Sequence, residues 1–334
     1  MPSPGSRLGD PVIAVALALS CSALVVAWLV RHPGIAPCDR PNRRSLHERP
    51  VPRAGGWAIF GGWAAALPFA GPFAGIPEAA TASLLATVAV LFCLSLVDDY
   101  RGVGALVRLV VQAVCAVALA VAMGPSLGWG NATIAAATFV LVAVTNFFNF
   151  MDGSDGLAGT MAVCGFGAYA AASALAGAPS LPWVALVCAV VPFLARNLPP
   201  ARLFLGDAGS VPLGFLAGAV GIAGSAGGAW PAWFPVLVFL PFLADATVTL
   251  LRRLLRGERV WEPHRSHYYQ RLVRMGAGHR GTLRVYGGLM LGCAASAVAC
   301  AAVAPAAGWA LVAVWTAIIA AVFARIDYHV PFPG

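Results

Sequence analysis

Residues 79–102 read AATASLLATVAVLFCLSLVDDYRG: an uncharged stretch that ends in two adjacent carboxylates, Asp98 and Asp99. A helix crossing about 30 Å of hydrocarbon needs about 20 mainly apolar residues. This stretch therefore predicts a span that delivers an acid pair to a membrane surface. Outward from it, similar apolar runs recur near 11–30, 55–76, 105–123, 131–149, 157–177, 181–196, 211–229, 232–251, 283–303 and 305–324. With 79–97 they make about eleven spans. Composition agrees: of 334 residues, 60% are hydrophobic and 10% charged, against roughly 25% charged in soluble domains. Too few charges remain to cover a soluble particle, and disordered chains lack this apolar content. The expected fold class is all-α, a polytopic integral membrane protein forming one transmembrane unit over 1–334.

The chain has 21 basic and 13 acidic residues, net +8, and every basic residue is arginine. If each span crosses once, the connections 31–54, 98–104, 150–156, 197–210, 252–282 and the C-terminal tail share one face. Only Arg7 among the arginines falls on the other. The positive-inside rule makes the arginine-bearing face cytoplasmic, with the N-terminus outside and the C-terminus inside. The basic balance is thus a topology signal, and no nucleic-acid partner is expected. The eight cysteines show no CxxC spacing, so neither disulfides nor a thiolate metal site is expected. The first apolar run has no small-residue cleavage site after it and reads as an uncleaved span.

The polar residues concentrate on that same face. Asp98 and Asp99 repel each other, which suits a metal or general-base site unless both are simply solvated. In NFFNFMDGSDGLAG, Asn146, Asn149, Asp152 and Asp155 recur every three residues. On helical turns they would share one side. Such a surface offers carboxylates to Mg²⁺ and amides to phosphate. In NLPPARLFLGDAGS, Asp207 precedes the eighth span and Phe204 lies three residues ahead; Asp207 or Ser210 could cap that helix. The loop 252–282 holds eight arginines with His264 and His267; it suits either anionic lipid or a polyanionic substrate. A second cationic stretch over 40–56 carries His47 and Arg53. Asp245, inside the ninth span, is a functional candidate by depth alone, either paired with a loop arginine or neutral. Together these groups suit phosphoryl transfer between a lipid and a soluble anion.

DDYRG, NFFNFMDGSDGLAG, NLPPARLFLGDAGS and the His264-Arg265-Ser266-His267 segment, spread over about 38–282, resemble the polyprenyl-phosphate N-acetylhexosamine-1-phosphate transferases, glycosyltransferase family 4. The resemblance implies a catalytic domain, with active-site loops at 31–54, 98–104, 150–156, 197–210 and 252–282. It implies transfer of an N-acetyl-aminosugar-1-phosphate from a UDP-sugar to undecaprenyl phosphate, releasing UMP. It also implies Mg²⁺, with Mn²⁺ as the alternative ion. Asp98 then resembles the base, with Asp99 beside it and His264 and His267 near the diphosphate. Asp207, with Asp152, resembles the metal site. Asn146, Asn149, Asp152, Asp155 and Asn197 resemble nucleotide-pocket residues, Phe204 a uracil-stacking ring, and His47, Arg53 and Arg265 further substrate contacts.

The peptidoglycan branch of that family carries three consecutive histidines, and a lysine where this chain has Gly102. HRSH is closer to enzymes that start O-antigen and related surface glycans. The expected setting is a bacterial inner membrane with the site facing the cytoplasm; a homo-oligomer is compatible. A cation-coupled transporter would place acids at mid-span and show internal repeats. A non-catalytic assembly scaffold would lack motif acids.

Overall fold

The structure, a computed structural model, describes residues 10–39, 50–260, 262, 264–330 and 332. His47 falls outside these. The helices are α1 (Pro11–Arg31), α2 (Gly55–Ala70), α3 (Glu78–Arg101), α4 (Ala105–Leu127), α5 (Asn131–Phe150), α6 (Leu157–Leu175), α7 (Leu181–Asn197), α8 (Asp207–Ala226), α9 (Trp233–Val238), α10 (Leu240–Leu255), α11 (Tyr268–Leu272), α12 (Gly278–Val303) and α13 (Gly308–His329). A small antiparallel ribbon pairs β1 (Cys38–Asp39) with β2 (Val51–Pro52).

The all-α, polytopic expectation holds, and each of the eleven apolar runs is helical. Eight helical segments among the described residues are long and apolar enough to cross a membrane. The other three runs are shorter. α2 has 16 residues and α7 has 17. The ninth run, expected as one span, is broken at Phe239 into α9 and α10. Pro241 is the cause: it has no N–H for the carbonyl of Leu237 and its ring crowds that position.

Local signals set the ends. Asp10 caps α1, its carboxylate accepting from the N–H groups of Val12 at 3.0 Å and Ile13 at 3.1 Å, with Pro11 at the first helical position. α8 is the central staff, 89% buried over its most apolar window. Its sequence, DAGSVPLGFLAGAVGIAGSA, is rich in small residues, which lets α2, α3 and α5 approach closely. The outer helices instead turn large apolar side chains outward, as α4 does with Leu106, Val107, Val110, Val114 and Val121. In water such a stripe would be an aggregation site; against lipid it is the expected surface.

Candidate active site

The site is built around the N-terminus of α8. Gly206 precedes it with φ 76°, and a Cβ there would meet Asp99 Oδ2 at 2.9 Å. Glycine is therefore required by both backbone and space. The exposed first N–H groups of the helix are satisfied from another helix. Asp99, at the end of α3, accepts from Asp207 N and Ala208 N, each at 3.1 Å. The sequence reading gave capping to Asp207 or Ser210; the cap comes from Asp99, and the Ser210 hydroxyl donates to Gly206 O. With its side chain fully buried, Asp99 is a clamp between α3 and α8, favoured by the helix dipole.

Asp207 thereby joins two arginines. Arg53 Nη2 lies 3.2 Å from Asp207 Oδ1 and 3.4 Å from Asp99 Oδ1. Arg108 Nη1 lies 2.7 Å from Asp98 Oδ2 and 3.1 Å from Asp207 Oδ2. Asp98 Oδ1 accepts from Val103 N at 2.5 Å. Arg53 reaches the cluster because a parallel bridge aligns it with Phe204, and Phe204 N donates to Pro52 O at 2.8 Å. The ribbon strand, the α3 terminus and the 197–210 loop thus meet at one point.

Arg108 was missed in the sequence because it was counted within an apolar span. A charged residue in such a span is itself a signal of function. It also bears on Gly102. That residue ends α3 with φ 69°, a conformation that disfavours any side chain. The cation on Asp98 arrives from α4 instead.

The four-residue run starting at Asn146 does not share one helical side, because α5 stops at Phe150. Asn149, still on the helix, donates to Asp207 Oδ1 at 3.3 Å and to Ser210 Oγ at 2.9 Å. Asn146, one turn deeper, donates to Gln112 Oε1 at 2.7 Å and Val142 O at 2.8 Å, so it ties α5 to α4. Asp152, past the helix end, lies within electrostatic reach of Arg53, Asp207 and Asp99. Desolvation, aided by those two carboxylates and opposed by the guanidinium, pushes its carboxyl well above the usual range. Asp155 turns the other way. It accepts from Ala201 N at 2.9 Å, while Asn197 accepts from Gly156 N at 2.9 Å and donates to Leu203 O at 2.9 Å. These two residues latch the 150–156 and 197–210 loops together. His279, absent from the sequence reading, joins the latch: its Nδ1 lies 3.0 Å from Ser154 Oγ and 3.6 Å from Asp155 Oδ1.

His264 and His267 stack with ring centroids 4.8 Å apart, and half-buried Arg265 lies between them in sequence. Burial, then the neighbouring His267 and Arg253, lowers His264 to a pKa of about 4. It is a neutral ring at physiological pH, acting as a hydrogen-bonding group and not as a cation. His267 Nδ1 lies 3.1 Å from Asp245 Oδ1. The sequence reading paired Asp245 with an arginine or left it neutral; its partner is this histidine. Phe150 lies against His267, centroids 6.1 Å apart. The Tyr269 hydroxyl donates to Phe150 O at 3.0 Å, which joins the histidine segment to the acid-bearing loop.

Among the described residues no three His, Cys, Asp or Glu side chains form a ready metal cage. The donor chemistry nonetheless suits Mg²⁺, which takes one or two carboxylates and fills its shell with water and phosphate oxygens. Asp98, Asp99, Asp152 and Asp207 set four carboxylates against the guanidinium groups of Arg53 and Arg108. Even with Asp152 holding its proton the carboxylates outnumber the guanidinium groups, an excess that a divalent cation would offset.

Comparison with known proteins is consistent with this geometry. Residues 81–225 match the model of the family described as Glycosyl transferase family 4. The chain is 30% identical over 260 residues to the undecaprenyl-phosphate alpha-N-acetylglucosaminyl 1-phosphate transferase of Yersinia pestis, covering 71% of this chain and 70% of that one. It is 26% identical over 267 residues to a probable undecaprenyl-phosphate N-acetylglucosaminyl 1-phosphate transferase of Bacillus subtilis (strain 168), covering 75% and 74%. With the decaprenyl-phosphate N-acetylglucosaminephosphotransferase of Mycobacterium tuberculosis (strain CDC 1551 / Oshkosh) the figures are 28% over 283 residues, 72% and 70%. The match spans α3 to α8, the helices that carry Asp98, Asp99, Arg108, Asn149 and Asp207, and the chain belongs to the polyprenyl-phosphate N-acetylhexosamine-1-phosphate transferases of glycosyl transferase family 4.

Proposed function

We propose that this protein transfers an N-acetyl-aminosugar-1-phosphate from a UDP-sugar to undecaprenyl phosphate, releasing UMP. It would thereby start a surface glycan such as an O-antigen at the cytoplasmic face of a bacterial inner membrane. The observation that carries the reading is the Asp98–Arg108–Asp207–Arg53–Asp99 chain of charges, with Asp152 beside it. N-acetylglucosamine is the first sugar to try, because the names of these relatives carry it.

The main barrier is repulsion between two anions, a lipid phosphate and a sugar-nucleotide diphosphate. A phosphate monoester has its second pKa near about 6 and is already largely ionised at neutral pH, so a base on Asp98 contributes modestly. The larger task is charge neutralisation. Arg53 and Arg108 are the accessible members, their side chains 35% and 36% exposed against 0% for Asp99 and 8% for Asp98. Their guanidinium groups suit bidentate phosphate recognition. Asp207 and Asp152 would hold Mg²⁺, which when bound supplies positive charge to the diphosphate oxygens. Asp99 keeps the α8 N-terminus fixed, and Asn149 holds Asp207 by a hydrogen bond. Phe204, half-buried beside Arg53, offers a ring for the uracil. The collection of acids at one end of the bundle supports an enzyme over a transporter.

The test is purified protein in detergent with Mg²⁺, undecaprenyl phosphate and a panel of UDP-N-acetylaminosugars, read as UMP release. Turnover with at least one sugar is expected. Folded protein inactive across the whole panel overturns the reading.

A further inference from the structure

We propose that Asp245 is a positioning residue that fixes the tautomer and orientation of His267; as a role in catalysis this rests on the transferase reading above. Asp245 lies on α10 and is fully buried. Donors surround its carboxylate. Oδ1 accepts from Tyr268 N at 2.9 Å and Thr249 Oγ1 at 3.1 Å and faces His267 Nδ1 at 3.1 Å. Oδ2 accepts from Tyr269 N at 3.0 Å and the Tyr286 hydroxyl at 2.5 Å. The backbone N–H groups can only donate, so both oxygens serve as acceptors. An ionised Asp245 can only accept, which puts the His267 proton on Nδ1.

That assignment leaves Nε2 as the ring atom able to serve a substrate. The His267 backbone N–H donates to Gln270 Oε1 at 3.3 Å, and its side chain faces the Gln270 N–H in a reciprocal capping box at the start of α11. A carboxylate behind a histidine fixes its tautomer and orients the ring. The node also reaches beyond His267. Tyr269, whose N–H it binds, donates its hydroxyl to Phe150 O, at the head of the loop carrying Asp152. One buried carboxylate therefore ties α10, the histidine segment and α12 together, with a link onward to the acid loop.

Asp245→Asn places an amide NH₂ where every neighbour is a donor, so it disturbs the tautomer while keeping size. With UDP-N-acetylglucosamine and undecaprenyl phosphate we expect kcat to fall about 10- to 100-fold with KM changed less than about threefold. In a His267→Gln background the same substitution should change kcat by less than about twofold. Equal losses in both backgrounds would overturn the proposal. A second measurement needs no turnover. Nitrogen-15 NMR of histidine-labelled full-length protein in detergent, assigned by the signal lost in His267→Gln, should show Nδ1 protonated. A bare Nδ1 overturns the proposal. If the wild-type chain turns over no sugar, the transferase reading fails, while the same NMR readout on Asp245→Asn still decides the proposal: a shifted His267 tautomer supports it and an unchanged one overturns it.

Discussion

Two groups of buried carboxylates in this bundle are satisfied in opposite ways. Around Asp245, one carboxylate faces donors on every side and is sealed from solvent. Around Asp207, carboxylates outnumber guanidinium groups, and the arginines that link them are about one-third exposed. A buried charge with all its hydrogen bonds made is rigid, and adding a ligand would cost it existing bonds. A cluster with unbalanced charge is a place where a cation and an anion can enter with gain. The sealed node holds its neighbours in place; the unbalanced cluster is open to incoming charge.

Substitutions can break that contrast, and the largest effect belongs at the centre of the unbalanced cluster. Asp207→Asn should lower turnover by about 10²- to 10³-fold with little change in protein abundance, compared by UMP release and detergent size exclusion. Parallel loss of activity and abundance would make Asp207 a structural residue. Arg108→Gln comes next, with a loss of about 10- to 100-fold, part of it in KM for the polyprenyl phosphate. An unchanged KM and kcat would remove α4 from the site.

Asp152→Asn sharpens the comparison through stability. Its carboxyl holds a proton more tightly when folded, because desolvation outweighs Arg53. Between the ordinary carboxylate range and that raised value the folded state binds more protons, so stability falls as pH rises. Without divalent cation at neutral pH, the Asn variant should melt a few degrees higher than wild type and lose activity. Added Mg²⁺ should raise the melting temperature of wild type only. A lower melting temperature without metal would show that the carboxylate is not under electrostatic stress. The smallest effect belongs to the aromatic core toward the other end of the bundle. There Tyr169 stacks on Trp230, centroids 4.9 Å apart, and donates to Ala217 O at 2.9 Å. Tyr169→Phe should cost about 1 kcal/mol and leave turnover unchanged; a loss of activity would couple the two ends.

Much of this was legible in the residues. The apolar runs fixed the membrane class, because span length is set by bilayer thickness. Asp98 and Asp99 stood out as adjacent like charges where a span ends, Asn149 and Asp152 by their three-residue rhythm, and Asp207 by its place between glycines before a span. What stayed hidden depended on partners distant in sequence. Arg108 lies 99 residues from Asp207, and Asp245 lies 22 from His267; no periodicity reports such pairs. Asn146 fitted a three-residue rhythm, but it lies one turn deeper than Asn149 and donates to Gln112, while the helix ends at Phe150 before Asp152 and Asp155. The ninth span failed for a local reason: a proline was read as part of an apolar run, and its missing N–H ended the helix.

By itself the sequence determined that the chain is a bundle of apolar helices with acids and arginines gathered at their polar ends, because hydropathy and charge act residue by residue. Only the tertiary structure decided which acid caps which helix, which arginine meets which carboxylate and which carboxylate faces which histidine. Those are matters of distance and direction between segments, and hydrogen bonds and ion pairs exist only at a few ångströms.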